Sequence, residues 1–142
     1  MKNELSVKSV TGRGDTRHGL AELREALLRL HKALIESERV GYEKTFGRIA
    51  SPYQFWQLLT DDAWFAWLRP VSQLVAAMDE MLDAKIALTA TGADALASRV
   101  KSLLVAVSGD DGFSGHYDEA LQRDPDVVLA HARMRKVLAN LG

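Results

Sequence analysis

An all-α fold is predicted on three observations. Leucines recur at three- and four-residue spacing, helix-start signals punctuate the chain, and only LSVKSV, Leu5–Val10, alternates apolar and polar residues as a strand would. The 142 residues are one domain's length, and a 47% hydrophobic share is enough apolar surface for a single core. The expected architecture is an irregular helical bundle with four main helices, at about 16–46, 61–85, 92–107 and 125–141, and two short ones at 52–59 and 116–122. Residues 1–15 are expected as a flexible N-terminal arm and 16–142 as a single helical-bundle domain.

The first helix rests on Leu20, Leu23, Leu27, Leu30 and Leu34, which stack on one face at 3.6 residues per turn, with Asp15 or Thr16 as its cap and Gly47 at its end. Ser51-Pro52 restarts a helix: the serine oxygen accepts a free N–H, and proline at the first helical position forfeits nothing. Thr60-Asp61-Asp62 reads as the next start, a cap hydroxyl followed by two carboxylates at the positive end of a helix dipole. Pro70 then implies a kink, or a first helix that stops near Leu68.

Thr91-Gly92-Ala93-Asp94 resembles a capping box before the apolar series Leu96, Val100, Leu103, Leu104 and Val107. SGDDGFSG, Ser108–Gly115, is rich in turn formers. The short helix after it closes at Arg123-Asp124-Pro125, where Asp124 caps the final helix. Tyr117–Met134 looks like one junction between tetratricopeptide units, but a solenoid needs about three repeats to bury its faces, so the match denotes a helical corner.

Composition removes several function classes. Eighteen basic against nineteen acidic residues leave a formal charge of −1, which gives no general attraction to nucleic acid or anionic lipid. The absence of cysteine excludes disulfides, thiolate catalysis and thiolate zinc sites. No segment reads as a signal-peptide core or a membrane span, so a cytoplasmic location is expected. Neither a Gly-x-Ser-x-Gly elbow nor a strand-linked glycine loop occurs, Arg13-Gly14-Asp15 is a chance tripeptide, and the clusters Asp79/Glu80/Asp83, Asp110/Asp111 and Arg133/Arg135/Lys136 are solvated charge. No enzyme and no cofactor is expected.

FWQLLTDDAWFAWLRP, Phe55–Pro70, holds all three tryptophans. On an α-helical wheel Trp64, Trp67, Leu68, Val71, Val75, Met78 and Leu82 share an arc of roughly 100°, which predicts a buried Trp64 and Trp67 and puts Phe65 on the flank. Phe55, Leu58 and Leu59 share a face of the short helix, with Tyr53 and Trp56 to one side. Tyr53, Trp56 and Phe65, with Arg69 over an aromatic face, are thus candidates for an interaction surface; the competing reading is that they fill a corner between helices.

His31 and Glu38 fall inside the leucine stripe, and His131 lies among Val127, Met134 and Leu138. Ionisable groups on core faces need partners, because an unpaired buried charge costs several kcal/mol, about 3–5 when a partner is removed. Two imidazoles and a carboxylate suit a metal or small ligand in a bundle; the competing reading is structural histidines with satisfied hydrogen bonds. Glu38 is expected to bond Tyr42 or an arginine of another helix, Arg69 or Arg135, and Gly41 to admit a second helix closely.

WLRP, Trp67–Pro70, together with LHKALIESERVGYEKTFGRI, Leu30–Ile49, resembles a family of small uncharacterised bacterial all-helical proteins over the chain from about Leu20 to the end. The resemblance implies a bacterial, cytosolic helical protein and brings no activity or site residue. The function expected is a non-enzymatic protein–protein interaction module that engages a protein partner or forms a homo-oligomer, with no nucleic acid or membrane involved. The alternative is a bundle binding a metal or small ligand through His31, Glu38 and His131.

Overall fold

The leucine stripe forms as its spacing requires: Leu20, Leu23, Leu27, Leu30 and Leu34 are each at most 2% exposed along one side of the longest helix, α1 (Lys2–Phe46). The computed structural model describes residues 2–83, 88–104 and 112–141, with side chains from Thr16 onward. After α1 come α2 (Pro52–Asp61), a 3₁₀ segment (Ala63–Leu68), α3 (Arg69–Leu82), α4 (Ala90–Leu104), α5 (Phe113–Arg123) and α6 (Pro125–Leu141). The fold is all-α, an irregular bundle in which α1 is the spine. Its buried face meets α6 most extensively, then α3, the 3₁₀ segment and α4.

Between the layers lie Val71, Leu74, Val75 and Met78 of α3, Leu96 and Val100 of α4, and Val127, Met134 and Leu138 of α6. Polar ties sit at the rim. Arg24 of α1 pairs with Asp79 of α3, and Arg17 donates to the Leu82 carbonyl at 2.8 Å, satisfying an end carbonyl of α3. Among the described residues no helix is long and apolar enough to cross a membrane.

Several boundaries differ from expectation. α1 starts at Lys2 and not at a Thr16 cap, because an existing helix extends at little cost per residue and needs no new nucleus. It ends as expected at Gly47, whose φ of 97° is open to glycine and whose N–H bonds the Glu43 carbonyl at 2.9 Å. α4 starts at Ala90, with Thr89 in place of Thr91 accepting from the Gly92 N–H at 2.9 Å. α5 includes Phe113–Gly115, three residues assigned to the turn-rich loop; residues 84–85, 105–107 and 108–111 lie outside the described part. At the last boundary Asp124 caps α6 as expected, accepting from Asp126 N–H at 2.9 Å.

The largest correction concerns the helix expected over 61–85. Thr60 does not cap it; its hydroxyl donates back to the Trp56 carbonyl at 2.9 Å, and Asp62 accepts from the Trp64 N–H at 2.8 Å instead. Pro70 has no N–H for the Ala66 carbonyl, so an α-helix cannot run through unbroken; the Arg69 N–H bonds Ala66 in the tighter 3₁₀ pattern, and α3 begins there with Pro70 in its first turn. A 3₁₀ turn advances about 120° per residue, which stacks residues three apart. Phe65 and Leu68 therefore share the inward face, at 1% and 3% exposure, while Trp64 and Trp67 are only partly buried. Phe65 is thus a core residue and not a flank residue, and the two tryptophans, expected in the core, pack against it while only partly buried.

Candidate functional site

A cleft of about 430 Å³ opens where α1, α2, the 3₁₀ segment and α3 meet. Its floor is Phe65 and Leu68, and Ile35 and Leu59 extend the apolar surface. Trp56 is one wall, 60% exposed and stacked on Tyr53 with ring centroids 6.4 Å apart; Tyr53 itself is 67% exposed. His31 enters from α1, half-buried, and burial pulls its pKa below the usual imidazole value, which keeps the ring neutral at pH 7.

Arg69 lies at the rim. It donates from Nη2 to the Thr60 carbonyl at 2.8 Å, so the guanidinium is held in place by the end of α2 and does not lie in a described ion pair. Ser72 and Gln73 complete the polar edge, with the Ser72 hydroxyl donating to the Arg69 carbonyl at 3.0 Å. Four residues singled out in the sequence, His31, Trp56, Phe65 and Arg69, thus line one cleft, though Phe65 serves as its floor and not as exposed surface.

The helix α2 has a feature of its own. Although Tyr53, Phe55, Trp56, Leu58 and Leu59 make half its length apolar, none of its ten residues is buried, and it rests chiefly on the 3₁₀ segment. Nearby, Phe46 and Val40 of α1 are also exposed, Phe46 lying against Tyr42 and Trp64 at 4.8 and 5.8 Å. Gly41 does not admit a second helix: a Cβ there would be 3.4 Å from the Trp64 ring, an ordinary contact with a side chain.

The other polar residues of the core faces go elsewhere. Glu38, 7% exposed, accepts from Arg123 Nη2 of α5 at 3.3 Å, and Arg123 Nε also donates to the Ser37 hydroxyl at 3.0 Å. An arginine from another helix does satisfy it, but neither Arg69 nor Arg135 is that arginine. His131 Nδ1 and the Tyr117 hydroxyl share a 2.6 Å hydrogen bond between α6 and α5. Burial, and then Arg135, lowers the His131 pKa, while burial and Asp118 push the Tyr117 phenol well above its usual range; both groups are neutral at pH 7.

His31, Glu38 and His131 are therefore engaged in three different settings, and among the described residues no group of three or more His, Asp or Glu side chains is placed to hold a metal ion. Sequence reasoning missed Arg123, Ser37 and Tyr117. Local sequence marks Arg123 only as part of the corner before Asp124-Pro125, and nothing in helical periodicity says that this corner folds against the middle of α1. Among the described residues three further buried side-chain atoms have no hydrogen-bond partner, the indole Nε1 of Trp64 and of Trp67 and the Ser114 hydroxyl. Compared with known proteins, the chain matches no family model, no curated protein and no solved structure at a significant level.

Proposed function

We propose that the protein is a non-enzymatic interaction module, acting in the cytoplasm, that self-associates through α2. The observation that carries this reading is the absence of any buried residue in a half-apolar helix that presents Tyr53 and Trp56 to solvent. A helix gains most of its stability from burying its apolar face; Phe55, Leu58 and Leu59 rest partly buried on the core, and Tyr53 and Trp56 leave the remainder of that gain to be made on association. Exposed tyrosine and tryptophan are the side chains that most often dominate binding energy. Asp61 is the single charged residue of α2, so two copies can meet about a twofold axis, aromatic face to aromatic face, without like-charge repulsion.

Light scattering across a dilution series tests it. The chain is expected at twice its monomer mass at high concentration and to dissociate on dilution. Trp56→Ala is expected to weaken self-association by about 2–4 kcal/mol, the range of an aromatic anchor, or roughly 30- to 1000-fold in Kd. A strictly monomeric wild type at several hundred micromolar overturns the reading.

A further inference from the structure

We propose that the cleft between α1, α2 and α3 binds a small aromatic carboxylate, its ring between Trp56 and the Phe65–Leu68 floor and its charge on Arg69. The cleft's volume, about 430 Å³, lies in the range of small-molecule sites. Its construction matches such sites as well: an apolar, fully desolvated floor, an aromatic wall and few polar groups, all at the rim or on one side.

Charge selects the ligand class. The lining includes a guanidinium and an imidazole and no aspartate or glutamate. The groove between α1 and α6 is instead lined by Arg29, Lys32 and Arg133 together with Glu36, Asp124 and Asp126, and the cleft at the far end of α1 by Lys101 together with Asp94. Both of those linings therefore mix cations with carboxylates. A third cleft, beside α5, carries Arg99 with no carboxylate among its described lining residues, but its one aromatic residue, Phe113, is buried and forms no exposed wall.

Arg69 is also prepared for the task. The bond from Nη2 to Thr60 tethers the guanidinium at one nitrogen and leaves N–H groups on Nε and Nη1 for an incoming carboxylate. The Thr60 and Ser72 hydroxyl protons are committed to backbone carbonyls, so they add acceptors and not donors, and the anion falls to Arg69. His31, neutral and deeper, can exchange one hydrogen bond with the ligand without imposing a second charge.

Titration calorimetry with phenylacetate and with phenylacetamide, the same shape without the charge, tests the proposal on the full chain at pH 7.5. Phenylacetate is expected to bind at least tenfold more tightly than phenylacetamide. Arg69→Gln and Trp56→Ala are each expected to weaken it about tenfold or more, and Arg69→Lys to keep the preference for acid over amide. Arg69→Gln, which lies outside α2, is expected to lose phenylacetate affinity while its mass by light scattering stays that of the wild type at each concentration; the two proposals thus fail separately. No binding at 10 mM phenylacetate, equal affinity for acid and amide, or full affinity in a folded Arg69→Gln overturns the carboxylate site. Should Arg69→Gln lose its helical circular dichroism, the Arg69→Lys result decides: loss of the acid preference overturns it.

Discussion

Phe65→Ala is the substitution that most directly probes the 3₁₀ segment. On an α-helical wheel Phe65 is a flank residue, and its truncation would cost about 1 kcal/mol or less, as at ordinary surface positions. In the structure the ring is 1% exposed, with Tyr42 at 5.6 Å and Phe55 at 5.9 Å, the latter nearly perpendicular. Removing it forfeits about 1.5–3 kcal/mol of burial and leaves a cavity beneath two aromatic contacts, which brings the expected loss to about 3–5 kcal/mol. At about 2–4 °C per kcal/mol the melting temperature falls by roughly 6–20 °C. Trp64→Phe is the contrasting arm. Its partly buried indole carries an unpartnered Nε1, and deleting that nitrogen relieves a desolvation cost of about 1–3 kcal/mol that offsets the lost area, leaving a net change within about 1 kcal/mol. Urea unfolding followed by far-UV circular dichroism reads both. A Phe65→Ala loss below about 1.5 kcal/mol, or a Trp64→Phe loss that exceeds it, would refute the 3₁₀ phase.

Two other predictions concern the paired polar groups. Arg123→Met strands the Glu38 carboxylate and is expected to cost about 1–3 kcal/mol, toward the lower end because the Arg123 side chain is 44% exposed and its ion pair is partly screened. Adding Glu38→Gln is expected to recover much of that loss, and strict additivity of the two changes in thermal unfolding would show that the pair does not interact. For pH, His31 and His131 have folded pKa values below the unfolded value of about 6.5, so folding favours the neutral rings. The unfolded chain then binds more protons between the two values: this contribution is complete above about pH 6.5 and is lost as pH falls through 6.5 toward the lower folded values. Urea unfolding at pH 7.5 and 5.5 is expected to show the decline, and a His31→Gln/His131→Gln variant to flatten it; equal wild-type stability at both pH values contradicts the sign.

Much of the helical framework is written in local chemistry. The leucines of α1 repeat at helical spacing and are buried, Ser51-Pro52 starts α2 with Ser51 accepting from the Gln54 N–H at 3.1 Å, and Asp124-Pro125 starts α6. Spacing and caps act within one turn of chain, so a single sequence carries them in full. The same locality explains the misplaced starts of α4 and α5, where neighbouring residues offer competing caps or turn signals and small energy differences choose between them.

Which faces meet is a matter of packing between helices distant in the chain. The wheel places Phe65 correctly only once the rise and rotation per residue are known, and Pro70, acting backward on Ala66, changed them for six residues. Glu38 announced that it needed a partner, yet the partner stands 85 positions away on α5. His31, Trp56 and Arg69 come from three helices, and their convergence in one cleft follows from how α2 and α3 lie across α1. Periodicity, the main stop at Gly47 and the polar groups that require satisfaction are legible along the chain. Pairing across the bundle was settled by packing, because close contact between distant segments depends on the shapes and register of whole helix faces, which no local pattern specifies.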